Sequence, residues 1–388
     1  MTLTGVPEAY SSVNSDLVWV CYDANSEDIS KTNYKYVGEL WIDGVKVFTS
    51  KVFPRPDTYF GVFNFGTVIR EYIIAKLSPT SDGILAQEMG EGDFCITVQL
   101  KIREEYSGTL GAVVLTDSER TFYNHYQTRF TDFTTQGSFT YTFSFVLGFL
   151  NYPNSTRDRT DIKLFFENSR YYIPYFATST ASFNVVIGSN TKTITPTEAR
   201  TLSIINISPG AINEDFPGTI TSGTASYTVV IDGVTYTVKL ICEPIYKKYM
   251  VHFLNKFGGF ESMSFHKVSR ESVSIERKEW QQLPYRVTDL GAVTLSENQV
   301  MHEQRSVFAS RFKEKLKIST DLLSDEDYQW LVQLVVSPLV YLEDENTLYP
   351  VVITNTDYEF KEYINDRLTN QSDRISHACN YNRVTCST

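Results

Sequence analysis

Apolar and polar positions alternate with period two along most of the chain, and that period predicts strands. Leu17-Val-Trp-Val-Cys-Tyr22 and Phe94-Cys-Ile-Thr-Val-Gln-Leu-Lys-Ile102 are two such runs. Between them, the segment Tyr34 to Phe48 predicts a hairpin about Asp43-Gly44, because a type I′ turn needs positive φ at both central residues. Val68, Ile69, Tyr72, Ile73 and Leu77 fall instead at helical spacing and predict a short helix that Pro79 ends. Further on, Phe139-Thr-Tyr-Thr-Phe-Ser-Phe145 alternates aromatic with hydroxyl residues. Strand runs over 161–166, 170–176, 182–187 and 201–207 follow, and then a second hairpin, Ala225 to Cys242, about Asp232-Gly233.

The last third opens with two strand runs, Tyr249 to Phe265, around Gly258-Gly259. Arg311 to Ser319 alternates as a strand with one basic, solvated face. Leu323 to Ser337 predicts a helix, with Ser324 as N-cap and Asp325, Glu326 and Asp327 in the first turn. Tyr328, Leu331 and Val335 share one face, and Pro338 stops the helix. A hairpin about Asp344 to Asn346 and strands within 357–363 and 367–380 complete the pattern.

These elements predict a mainly β fold of tandem sandwiches followed by a small antiparallel β-barrel or sandwich with one packed helix. The expected units are an N-terminal sandwich with one short helix over 1–117 and an irregular connection or arm over 118–136. A second sandwich is expected over 137–245, then a C-terminal antiparallel domain over 246–388 with its helix at 324–336. The 388-residue length accommodates several cores of this size. The segments 118–136 and 281–301 read as arms that become ordered on assembly.

Composition sharpens this picture in two ways. Twenty-five Tyr and twenty-five Phe suit either β cores or broad protein interfaces. The net charge of −11 argues against nucleic acid or an anionic membrane as the main partner. No apolar stretch approaches the roughly 18–20 residues that span a bilayer. The opening Met1-Thr-Leu-Thr-Gly-Val-Pro7 has neither the basic nor the apolar part of a secretory signal. The expectation is a soluble protein made and folded inside a cell. Five widely spaced cysteines without a CxxC pair do not resemble a secreted disulfide framework. Cys21 and Cys242 lie in apolar runs and are expected to be buried, and Cys379 and Cys386 to stay unpaired.

Candidate chemistry is sparse. The histidines His125, His252, His266, His302 and His377 show no metal-ligand spacing, and His252, in an apolar run, reads as a satisfied core residue. There is no nucleophile elbow, phosphate loop or dinucleotide fingerprint. Asp23-Ala-Asn-Ser-Glu27 begins like a calcium loop, but Asp28 stands where glycine is needed and Tyr34 where the bidentate glutamate belongs. The adjacent carboxylates Glu104-Glu105 and Asp344-Glu345 read as solvated turn residues rather than a glycosidase pair. Asn154-Ser-Thr156 has the glycosylation pattern, which means little without a secretion signal. No catalytic, cofactor-binding or metal-ligating residue is assigned, no cofactor is expected, and the chain is read as a non-enzyme.

Four segments carry a resemblance: Leu254-Asn-Lys-Phe-Gly-Gly-Phe260, Tyr328-Gln-Trp-Leu331, Ser337-Pro-Leu-Val-Tyr-Leu342 and Tyr349-Pro-Val-Val352. Together with Tyr36-Val-Gly-Glu-Leu-Trp-Ile-Asp-Gly-Val45, they resemble structural tail proteins of tailed bacteriophages and prophages of Bacteroidetes hosts. The resemblance implies a tail-tip, baseplate, hub or collar component located in the virion. Such a component would act by ring assembly and by docking neighbouring tail proteins. The alternative is a β-sandwich adhesin for a host glycan or receptor, with Trp19, Trp41, Trp280 and Trp330 as candidate stacking residues. A glycan hydrolase is the third class.

Overall fold

The computed structural model describes residues 1–7, 10–14, 17–23, 30–124, 148–149, 162–167, 169–177, 179–242, 244–281, 283, 285–287, 289–297, 300–301, 305–323, 325–344, 347–354 and 369–377. The chain is mainly β, with several separate, mostly antiparallel sheets. Three helices occur among the described residues.

The first region holds β1 (Thr2–Gly5), β2 (Tyr10–Ser12), β3 (Val18–Tyr22), β4 (Lys35–Ile42), β5 (Val45–Val52), β6 (Phe60–Asn64), helix α1 (Gly66–Arg70), β7 (Leu85–Met89), β8 (Cys95–Tyr106), β9 (Thr109–Thr116) and β10 (Arg120–Tyr123). One sheet runs β1-β3-β6; the other runs β2-β10-β8-β4-β5, with β9 also on β8. Their inward residues, among them Trp19, Phe63, Tyr36, Leu40, Val98 and Phe122, form one core. The β4–β5 turn has the expected chemistry, with Asp43 at φ 49° and Gly44 at φ 72°.

Two expectations need correction here. The helix ends at Arg70 rather than continuing to Leu77. From Ile73 to Leu77 burial alternates, with Ile73, Ala75 and Leu77 inside and Ile74 exposed. That segment is extended because distant groups satisfy its backbone. The Gln87 amide donates to Lys76 O at 2.8 Å and accepts from Ser78 N at 2.7 Å, and Ile74 N donates to Gly92 O at 2.9 Å. The second correction concerns the irregular connection, whose start is strand β10. Phe122 and Tyr123 are buried there, and β10 pairs with both β8 and β2. Residues 125–136 of that connection, and the Phe139 to Phe145 run, lie outside the described residues.

Beside β10, Asp117 anchors the first sandwich. Its carboxylate accepts from Trp19 Nε1 at 2.8 Å, Arg120 Nε at 2.6 Å and Arg120 Nη2 at 2.9 Å. Burial would raise this carboxyl, but the hydrogen bonds from Arg120 and Trp19 outweigh it and hold it below the usual range. A depressed folded value means stability that is present above the unfolded value, about 3.9, and lost as pH falls through the folded value. Asp117→Asn is therefore expected to flatten the loss of stability below about pH 4. Urea unfolding at several pH values checks this; parallel wild-type and variant curves would reject it.

The second region holds β11 (Gly148–Phe149), β12 (Ile162–Leu164), β13 (Tyr172–Ala177), β14 (Phe183–Ile187), β15 (Asn190–Ile194), β16 (Thr201–Asn206), helix α2 (Pro209–Asp215), β17 (Ser226–Ile231) and β18 (Val234–Leu240). A sheet β11-β13-β16-β7 faces a sheet β12-β18-β17-β14-β15 across an Ile- and Val-rich core. β7 thus leaves its own region and bonds to β16. The Asp232-Gly233 turn repeats the first hairpin, and Tyr175 Oη donates to Asp232 Oδ2 at 2.9 Å. Helix α2 was not expected, although Ser208-Pro209 is a readable start: Ser208 Oγ accepts from Ala211 N at 3.4 Å, with Pro209 in the first turn.

The third region holds β19 (Tyr249–Leu254), β20 (Phe260–Phe265), β21 (Arg270–Gln281), β22 (Arg286–Val287), β23 (Val293–Thr294), β24 (Ser296–Glu297), β25 (Val300–Met301), β26 (Arg305–Leu323), helix α3 (Asp325–Val336), β27 (Val340–Asp344), β28 (Thr347–Ile353) and β29 (Thr369–His377). Seven strands form one sheet, β20-β19-β27-β28-β29-β26-β21. It curls back on itself, since Lys267 N, just past β20, donates to Ser319 O of β26 at 3.2 Å. Helix α3 fills the hollow with Trp330, Leu331 and Leu334, all fully buried. Val335 is only half-buried, and the Tyr328 side chain and Ser324 lie outside the described residues.

Trp330, Leu331, Val340, Leu342 and Val351 line this hollow, while Leu254, Phe260, Leu339 and Tyr341 pack into the neighbouring core. Asn255 Oδ1 accepts from Phe257 N at 3.0 Å and Gly259 N at 2.9 Å, while its Nδ2 donates to Glu261 Oε1 at 2.9 Å. Trp330 Nε1 donates to the other Glu261 oxygen, and Gln333 Oε1 accepts from Lys256 N at 3.0 Å. Gly258, at φ +85°, presses on the rest of the molecule: a Cβ there would stand 2.6 Å from Asn124 O. Gly258→Ala is expected to cost about 2–3 kcal/mol through the left-handed backbone and this clash. Urea unfolding measures it, and a loss below about 0.5 kcal/mol would mean the turn relaxes. Around this point Phe94, Tyr123, Tyr172, Phe176, Leu254 and Phe260 share one core, drawn from all three regions.

Candidate functional site

The chemically richest cluster lies at this junction. His252, in the middle of β19, has no exposed surface. Its Nδ1 is 2.8 Å from Ser262 Oγ and its Nε2 is 3.0 Å from Glu343 Oε2. Tyr172 N donates to the same Ser262 Oγ at 3.0 Å, and Nε2–H of His252 donates to the carboxylate, which can only accept. Arg170 Nε stands 3.5 Å from Glu343 Oε1. Burial would raise Glu343, but the hydrogen bond from His252 and the charges of His252 and Arg170 hold it below the usual carboxylate range. The order serine, histidine, carboxylate is that of a nucleophilic triad, yet none of the three side chains is more than 4% exposed. A substrate has no route to a serine packed this way. The cluster joins β13 of the second region to β19, β20 and β27 of the third.

An exposed feature of a different kind rises from the far edge of the same sheet. β21 pairs with β26 over twelve residues, from Arg270↔Lys317 to Gln281↔Arg305. β29 bonds to β26 only from Lys315 onward. Beyond that point β21 and β26 form a two-stranded ribbon, about 30 Å long at roughly 3.3 Å per residue. Every residue of β21 is exposed. The tip carries two smaller ribbons, β22–β23 and β24–β25, within the segment read as an arm from Gln281 to Met301.

Exposed apolar side chains gather along this ribbon: Val273, Ile275 and Phe312 on its shaft, with Trp280 at 53%, Phe308 at 65% and Leu290 at 96% toward the tip. One face is set by cross-strand register, with Ile275 opposite Phe312 and Val273 opposite Glu314. At its root that face overhangs a cleft of about 370 Å³. Tyr249, Leu342, Asp344 and Tyr349 form one wall, and Glu271, Ser272, Val273, Glu314, Lys315 and Leu316 the other. Burial raises the Tyr249 hydroxyl. Asp344 is ion-paired with Lys247 at 2.6 Å on the rim.

The remaining expectations fall elsewhere. Trp19 and Trp330 are core residues, which removes them as stacking surfaces. Trp41 lies under Lys101, whose Nζ is 3.6 Å from the ring centroid, and Trp280 is on the ribbon rather than in a hollow. Glu105 is ion-paired to Lys35 and Lys51, so it is not the solvated turn residue expected; it sits inside β8. Asp344 does reach the cleft, with Glu271 and Glu314, which the sequence hides within strands. Burial pushes the Cys21 and Cys95 thiols up to about 12, far from a reactive thiolate. Cys242, expected inside, is exposed because β18 ends at Leu240. Residues 24–29 of the calcium-like loop, Asn154, His125, His302, Cys379 and Cys386 lie outside the described residues. Among the described residues no cluster of His, Cys, Asp and Glu is arranged to hold a metal ion, and no helix is long and apolar enough to cross a membrane.

No family model, curated protein or solved structure matches this chain. The functional reading therefore stands on the ribbon and the cleft.

Proposed function

We propose that this chain is a structural assembly subunit, a component of a tailed-phage tail that joins copies of itself and neighbouring proteins into a ring. The observation that carries this reading is the ribbon. A two-stranded ribbon is at best marginally stable alone in water, and this one holds out an apolar face that no described part of the chain covers. Among the described residues β21 is the edge strand of its sheet, and its outer edge offers backbone donors and acceptors to another strand. The buried junction adds a rigid base, and the resemblance of its segments to tail proteins supplies the setting.

The test is the oligomeric state of the purified protein by light scattering, with negative-stain imaging of the particles and of virions. Closed rings, and density for this chain in a tail, are the expected result. A monomer at every concentration, absent from virions, would overturn the proposal.

One observation favours a second reading. The cleft sets the exposed ring of Tyr349, with Tyr249 buried behind it, beside three carboxylates and Lys315, a combination suited to stacking a sugar and bonding its hydroxyls. Glycan binding by the monomer, lost in Tyr349→Ala, would move the assignment to a host-glycan adhesin.

A further inference from the structure

We propose that the opposite face of the ribbon is a basic docking strip whose partner is the acidic body of a second copy of this chain. This rests on the assembly reading above and names the surface that would guide it.

Successive residues of a strand point to opposite faces, so the register fixes the composition of each face. The positions that alternate with the apolar pairs are Arg270↔Lys317, Ser272↔Lys315, Ser274↔Lys313, Glu276↔Arg311 and Lys278↔Ala309. Six cations and one carboxylate therefore share one side, opposite the Val273, Ile275, Phe312 and Glu314 side chains, with Ser272 and Lys315 reaching the cleft at the root. Only Lys313 has an ion pair among the described residues, to Glu276 at 3.3 Å, with both side chains more than half exposed. Arg270 and Lys317 stand directly opposite each other, an arrangement that destabilises a strand pair unless counter-charge is supplied.

That counter-charge is present on the chain itself. The paired ribbon residues, 270–281 and 305–317, contain eight Lys or Arg and four Glu, a net +4. The whole chain carries −11, so the rest of it carries −15. Nucleic acid would meet the strip but also that acidic body, whereas a second copy brings the charge the strip lacks. A basic strip on one copy against the body of the next is a head-to-tail contact, which closes into a ring when its rotation allows.

The experiment compares the full chain with a triple variant, Lys278→Glu, Lys313→Glu and Lys315→Glu, and with the same three positions changed to Gln. None of the three faces a carboxylate directly across the strands. Sedimentation velocity at about 0.05 M and about 0.5 M salt reads self-association, and circular dichroism confirms the fold. The expected result is that wild-type assembly weakens at least about tenfold between the two salts. The Glu variant should be weaker by about 100-fold at low salt, and the Gln variant intermediate. Assembly unchanged by salt and by both variants would overturn the strip while leaving the assembly reading intact. A wild type monomeric under all conditions would overturn both. Saturable binding of duplex DNA by the wild type, lost in the Glu variant, would make the partner nucleic acid and overturn the second-copy assignment.

Discussion

Replacing residues 274–313 with an Asn-Gly turn is expected to leave a folded chain that no longer assembles. The cut leaves Val273 facing Glu314, a register an Asn-Gly type I′ turn can close after short trimming or extension of the root. β26 keeps its bonds to β29 from Lys315 onward, so the curled sheet and its α3 core are untouched. Every residue removed from β21 is exposed, so the change in folding stability should stay within about 1 kcal/mol. Association, by contrast, loses Trp280, Phe308 and Phe312, large side chains of the kind that dominate interfaces. A weakening of at least about 100-fold, roughly 2.7 kcal/mol, is expected by sedimentation or mass photometry. Assembly of the shortened chain with wild-type affinity would take the ribbon out of the interface. The same protein retains both walls of the cleft, so glycan binding that survives the deletion would belong to the cleft alone.

The second large effect is expected at Glu343. Glu343→Ala would strip His252 and Arg170 of their shared carboxylate inside the junction, at a cost of about 3–5 kcal/mol. That is a large fraction of the roughly 5–15 kcal/mol that holds most proteins together. Glu343→Gln keeps the shape and one acceptor and should cost less, about 1–3 kcal/mol. The carboxyl is held below its unfolded value, so its contribution is present above about pH 4.3 and lost as pH falls through the folded value. Glu343→Gln should remove that part of the acid sensitivity. Urea unfolding of both variants at neutral and acidic pH measures these effects. A loss below about 1 kcal/mol for Glu343→Ala would mean the apolar core around Tyr172 and Phe260 holds the junction without the polar cluster.

Where residues close in sequence decide the outcome, the amino-acid sequence by itself determined the structure. The hairpins at Asp43-Gly44 and Asp232-Gly233 follow from period-two strands and a dipeptide that tolerates positive φ. The helix before Pro338 follows from its spacing, and the basic face of Arg311 to Ser319 from simple alternation. Only the tertiary structure decided what those elements meet. Gln87 converts the end of a helical pattern into extended chain, and β7 crosses to β16. Glu271 and Glu314 join Asp344 at one cleft, and Arg270 comes opposite Lys317 to complete the strip. The physical reason is that periodicity and turn chemistry act over a few residues. Strand register and burial are settled by partners tens of residues away, whose contacts outweigh local preference.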